Sequence, residues 1–268
     1  VTRAEVSDDE LLEVVGAFWP PDTDLFRVLL GATAQHLGGD LAELGVLYGR
    51  SSILVGSSLQ PGEVFTVVDL FEAPAADGAN LAENASSYEG LTRAAFEGNY
   101  RRVHGDLPVV VQGFSETVTG HARHGSHRFV HVDASHLHQH VVADIRAART
   151  LLKPDGVLVL DDIREEHTPG VAAAAWQAVV TDGLRPFAIS PHKLYCTFGD
   201  GAEWRDAIAA WAGRAGWETE TQVVNDQPLL RVSAPRRVPP PHPARRFVPP
   251  VVWPAVRRAG LRLGLGRD

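Results

Sequence analysis

Four short apolar runs in this chain each carry an acid at or near their C-terminal end. They are DLAELGV (40–46) with Glu43, EVFTVVDLF (63–71) with Asp69, RFVHVD (128–133) with Asp133, and GVLVLDD (156–162) with Asp161 and Asp162. LPVVVQGF (107–114) is a fifth run of the same kind. Strands this continuously apolar are buried on both faces, which points to a parallel sheet between two layers of helices. The intervening GRSSILVGSSL, HQHVVADIRAARTLL and GVAAAAWQAVVTDG supply those helices. Open sheets of this doubly wound α/β class bind ligands outside the carboxyl ends of their strands. The acids therefore fall where a ligand belongs.

After Pro191 the pattern changes. KLYCTFG and QPLLRVS flank the helical EWRDAIAAWAGRAG, which predicts an antiparallel edge and seven strands in all. SDDELLEVVGAF reads as an opening helix with Ser7 as N-cap and Glu10 three residues later. One core of this size suits a domain over 1–234, with a helical insert near 73–103. The remaining 235–268 form an arm rich in proline, with eight arginines against one aspartate. Such an arm is expected to dock on an acidic body, its own or that of a second copy in a homo-oligomer. The net charge of −8 argues against nucleic acid and anionic membrane as partners. A single cysteine, Cys196, is expected in the core and suits a reducing cytoplasm. No run reaches the roughly 18 apolar residues of a transmembrane span, and VTRAEVSDDELLEVV lacks a secretory pattern. A cytoplasmic enzyme or binding protein is the expectation.

Glu43-x-Gly45-x-x-x-Gly49 lies between a strand and a helix, where glycines let the backbone turn tightly against a ligand. Leu47 and Tyr48 break the spacing of a dinucleotide fingerprint, and no phosphate-loop lysine is present. An acid before the loop suits a ligand with a cationic amino-acid part. Asp69 ends the next strand, a common place for the carboxylate that holds a ribose diol. Together the two acids fit S-adenosylmethionine, a nucleoside joined to an amino acid. Either feature alone also reads as a packing turn or a strand-end cap.

Asp133, Asp161 and Asp162 close adjacent strands, and His136 follows Asp133 by three residues. Three converging carboxylates call for a cation, and oxygen donors suit Mg²⁺, with Mn²⁺ as a substitute, rather than Zn²⁺. Helix N-capping is the competing role for Asp133 and Asp162. His121, His124 and His127 lack the spacing of a zinc site and read as a solvated loop, and His138 and His140 as exposed residues at a helix start.

AELGVLYGRSS, VVDLF, FVHVDASH, VVADIRAARTLLKPDGVLVLDDI and the following PGV resemble, in that order, the class I S-adenosylmethionine-dependent methyltransferases. Within them the likeness is to the branch of the macrocin- and mycinamicin-type sugar O-methyltransferases, over roughly residues 36–200. The resemblance implies a Rossmann-like fold with helices on both faces. It implies that Glu43, Gly45, Gly49, Ser51, Asp69 and Asp133 bind the cofactor, with Gln112 and Ser115 near the adenine. It implies that Asp133, Asp161 and Asp162 hold Mg²⁺ and that His136 is the general base. The expected reaction is methylation of a hydroxyl of a saccharide or other small-molecule acceptor. A catechol-type methyltransferase, for which a lysine base is usual, and a non-catalytic cofactor-fold binding protein are the alternatives. The glycine spacing disfavours an NAD-dependent oxidoreductase.

Overall fold

A computed structural model describes residues 6–74 and 91–234. Helices α1 (Asp8–Leu12) and α2 (Asp22–His36) precede strand β1 (Asp40–Leu44), α3 (Arg50–Ser57) and β2 (Phe65–Asp69). Then come α4 (Arg93–His104), β3 (Val109–Gln112), a 3₁₀ turn (Ser115–Gly120) and β4 (His127–Val132). Helix α5 (His138–Leu151), β5 (Leu152–Leu160), α6 (Pro169–Thr181), β6 (Arg185–Ile189) and β7 (Leu194–Thr197) follow. Helix α7 (Ala202–Ala215), β8 (Glu218–Val224) and β9 (Gln227–Ser233) complete the described part. Ser7 and Glu10 form the reciprocal cap foreseen for the first helix, although that helix is only five residues long.

The strands form one sheet in the order β3-β2-β1-β4-β5-β7-β6-β9-β8. Strands β1 to β5 are parallel, and β7 runs antiparallel to both β5 and β6. Among the described residues the sheet thus has nine strands, not seven. The two additions are β6 and β8. RPFAI carries a proline at its second position, which argues against a strand in the sequence. ETETQVV is an exposed strand at the sheet's edge, with no buried face to leave an apolar alternation in the sequence. The arm at 235–268 and most of the 73–103 insert lie outside the described residues.

Every residue of β1 and β4 is buried, the polar Asp40, Glu43, His127, Arg128 and His131 among them. On one face of the sheet Phe26 and Leu29 of α2, Ile53 of α3, Phe96 and Tyr100 of α4 and Trp204 of α7 pack together. On the other face Val141, Ile145 and Ala148 of α5 meet Val171, Ala175 and Val179 of α6. Away from the strands' carboxyl ends, the buried Arg128 guanidinium donates to both oxygens of Glu63 at 3.0 Å and to the Leu30 and Ser58 carbonyls. The chain steps outward from β1 to β3, then returns to β4 on the other side of β1. This reversal opens a crevice beyond the carboxyl ends of β1 and β4.

Candidate active site

Gly45 leaves β1 with φ +81°, and a Cβ there would overlap the Asp133 carbonyl oxygen. Only glycine lets the ends of β1 and β4 come this close. The loop then turns over Asp69. The Val46 and Leu47 amides donate to Asp69 Oδ2 at 2.7 and 3.2 Å, and the Phe71 amide donates to Oδ1 at 2.7 Å. Desolvation pushes the Asp69 carboxyl above its ordinary value, tempered by these three amides. Beside the loop lies a cleft of about 690 Å³, part of it open to solvent. Gly45, Leu47 and Asp69 form one side, and Phe114, Ser115, Asp133 and His140 are among the other lining residues.

The structure brings Gly45, Asp69, Ser115 and Asp133 to this cleft. The other expected cofactor contacts lie elsewhere. Gly49, at φ +96°, is the N-cap of α3, and Ser51 is buried in that helix's first turn. Gln112 is exposed at the end of β3 and donates to the Leu70 carbonyl at 3.4 Å. Glu43 is fully buried, with Ser52 Oγ donating to one oxygen and His131 Nδ1 2.7 Å from the other. Alternation along β1 explains this placement, since side chains two apart share a face.

A smaller cavity, largely open to solvent, adjoins the cleft and shares Asp133, Ala134 and Ser135 with it. Asp161 and His136 also line it. His136 Nε2 lies 2.9 Å from Asp162 Oδ2. Asp162 has φ +54°, a conformation unusual for a side-chain-bearing residue. Its carbonyl accepts from Thr168 Oγ1 at 2.8 Å, and its amide donates to Asp161 Oδ1 at 2.8 Å. The N-caps of α5 and α6 are Leu137 and Thr168, so neither Asp133 nor Asp162 is a helix cap.

Lys193 Nζ, almost wholly buried, is paired with Asp161 Oδ2. Burial works against charge on Asp161, but Lys193 holds its carboxyl below the ordinary value. Asp133 goes the other way: desolvation, then the neighbouring Asp161, drive it well above its ordinary value despite Lys193. Ligand atoms of Asp133, His136 and Asp162 lie within 4.8 Å of one another, as do those of His131, Asp133 and Asp161. Asp133 belongs to both groups. Each group offers two carboxylates and one imidazole, a donor set that a divalent cation can accept, and Asp161 and Asp162, expected to share one ion, fall in different groups.

Several of these residues escaped the sequence reading. Lys193 stands at the mouth of the apolar KLYCTFG run. Because Leu160 pairs with Leu194 in the antiparallel register, Lys193 falls opposite Asp161. The signal was a lysine leading into a strand that neighbours the double aspartate. His131, within β4, was hidden by treating that run as uniformly apolar. His140 lines the cleft instead of facing solvent, whereas His138 is exposed. His121 and His124 are exposed as expected, but His127 is buried in β4, where burial lowers its pKa. Cys196 is buried in β7, and burial pushes its thiol well up.

A parallel sheet with a glycine turn over a strand-end acid, a cleft at its switch point and an adjoining acid cluster defines a class I methyltransferase fold. The comparisons agree. A family model described as a methyltransferase domain matches residues 42–163, the stretch from β1 to just past Asp162. That methyltransferase domain makes the chain an enzyme. Among solved structures, the O-methyltransferase NovP aligns with a TM-score of 0.54 at 17% identity, covering 66% of this chain and 80% of that one. A protein from Corynebacterium glutamicum aligns with a TM-score of 0.52 at 14% identity, covering 72% and 91%. At such identities the likeness is one of fold. No curated protein sequence matches the chain. Among the described residues, no helix is long and apolar enough to cross a membrane.

Proposed function

We propose that the chain is an S-adenosylmethionine-dependent O-methyltransferase that methylates a hydroxyl of a saccharide or similar polyol, aided by Mg²⁺. The single observation that carries this reading is the junction at Asp133. There the cleft beside Asp69 meets the cavity holding His136 and the acid cluster. Residues of the cleft would hold the cofactor, and residues of the adjoining cavity would face the acceptor.

S-adenosylmethionine supplies an electrophilic methyl group, so the protein must orient an oxygen in line with it and take its proton. Asp69, already fixed by three backbone amides, is positioned to accept from a ribose diol. His136 would receive the acceptor's proton, a reading supported by its 2.9 Å contact with Asp162, which would orient the imidazole and stabilise its charged form. Asp133 and Asp162, with an oxygen of Asp161, would hold the divalent cation, which when bound stabilises negative charge developing on the acceptor. Two neighbouring hydroxyls would suit such a site, which favours a sugar; the resemblance to sugar O-methyltransferases supports the same choice. The pairing of His136 with a carboxylate favours an active enzyme over a binding protein.

Calorimetry with S-adenosylmethionine and S-adenosylhomocysteine tests the cofactor half. Methyl transfer to nucleotide sugars and to catechols, each with Mg²⁺ and with EDTA, tests the acceptor half. Binding of NADH in place of both adenosyl compounds would overturn the reading, and methylation of catechols alone would move it to the catechol type.

A further inference from the structure

Lys193 is 2% exposed and lies in the floor of the acid cluster. Its ammonium is paired with Asp161 and sits 3.4 Å from His131 Nε2. The rings of Phe18 and Phe26 lie 5.4 and 5.9 Å from it. An ammonium has no lone pair, so in this contact Nε2 is the acceptor and Nδ1 donates to Glu43. One buried chain therefore runs from Ser52 on α3 through Glu43, His131 and Lys193 to Asp161. It explains why Glu43 faces away from the cleft. It also places a fixed positive charge inside a group of three carboxylates.

A buried ion pair is a poor source of stability, because desolvating both charges offsets much of their attraction. Here the pair has a second consequence. Lys193 occupies one oxygen of Asp161 and repels any cation approaching Asp133 and Asp162. We propose that Lys193 is the resident cation of the acid cluster. It neutralises one of the three carboxylates, limits the cluster to a single further divalent ion and keeps that ion weakly held. The proposal rests on the reading of this cluster as a cation site.

The test uses Mn²⁺ as probe, titrated into the wild type, Lys193→Met and Lys193→Gln, each saturated with S-adenosylhomocysteine. Free Mn²⁺ is read by electron paramagnetic resonance, and thermal unfolding is followed in EDTA and in Mn²⁺. Both variants are expected to bind Mn²⁺ at least tenfold more tightly than the wild type. Mn²⁺ should also raise their melting temperature by more. A lysine that merely packs would leave Mn²⁺ affinity unchanged or weakened on removal, and either result overturns the proposal. Failure of both variants to fold with or without Mn²⁺ overturns it too, since no ion could then replace the ammonium. Binding by the variants with none by the wild type supports a resident lysine and removes the metal from the wild-type mechanism. Binding by the wild type without tightening in the variants does the reverse. Absence of binding by all three sinks both readings.

Discussion

His136 Nε2 and Asp162 Oδ2 are 2.9 Å apart, and the carboxylate that makes this contact stands on a left-handed backbone. Strain of this kind persists when the surroundings over-determine it, and it concentrates at functional sites. The pair would give Asp162 a positioning role beside the metal-binding role proposed for it, because it fixes which way the imidazole points. His136→Ala is expected to lower turnover by about two to four decades, the usual worth of a general base. Asp162→Asn should also slow turnover while leaving S-adenosylhomocysteine affinity within about threefold by calorimetry. A His136→Ala enzyme of wild-type activity would return His136 to a packing role.

Metal removal should separate from cofactor binding. The cleft lined by Gly45, Asp69 and Ser115 is built without Asp161 or Asp162. EDTA is therefore expected to abolish methyl transfer and leave S-adenosylmethionine bound with little change. Full activity after exhaustive chelation would remove the divalent ion from the mechanism and leave Lys193 as the cluster's cation.

Asp69 faces two tasks at once. It would hold the ribose diol, and it already ties down the turn formed by Val46 and Leu47. Asp69→Ala should weaken cofactor binding by about 1–3 kcal/mol, the cost of leaving polar partners unpaired. It should also lower the melting temperature, because the amides of Val46, Leu47 and Phe71 lose their acceptor. An unaltered dissociation constant with an intact fold would show that the ribose lies elsewhere.

The parallel half of the sheet was legible because burial on both faces leaves unbroken apolar runs, as in GVLVLDD. Strand ends were legible because Asp69, Asp133 and Asp161 interrupt those runs abruptly. What stayed hidden depends on registry between strands. No spacing within the chain brings Lys193 to Asp161, since that follows from Leu160 pairing with Leu194 across an antiparallel junction. The direction of Glu43 was hidden for a related reason. Its partner His131 sits beside it on the adjacent parallel strand, 88 positions away. Two strands were missed where local pattern carries little information, one being marked by proline and the other having no buried face.

Asp144 offers a pH test away from the acid cluster. It lies on α5, is fully buried, and neither carboxylate oxygen makes a hydrogen bond of ordinary geometry. Burial raises its pKa to about 7, tempered by the nearby Ser115 hydroxyl and reinforced by Glu116. An unfolded chain would release this proton near the ordinary value of 3.8. Between those two values the folded state holds the proton and the unfolded state does not, so stability falls as pH rises. Below the lower value both states are protonated. Above about 7 both are charged, and the full cost of a buried carboxylate is present. Each pKa unit corresponds to about 1.4 kcal/mol, so the whole penalty is on the order of a few kcal/mol. Asp144→Asn keeps the shape and removes the charge. In denaturant unfolding at pH 5 and pH 8, the variant's stability relative to the wild type should be higher at pH 8 than at pH 5, because only part of the penalty has built up at the lower value. Parallel stabilities at both values would mean that the carboxylate is solvated or paired in solution, and the assignment of a buried proton to Asp144 would fall.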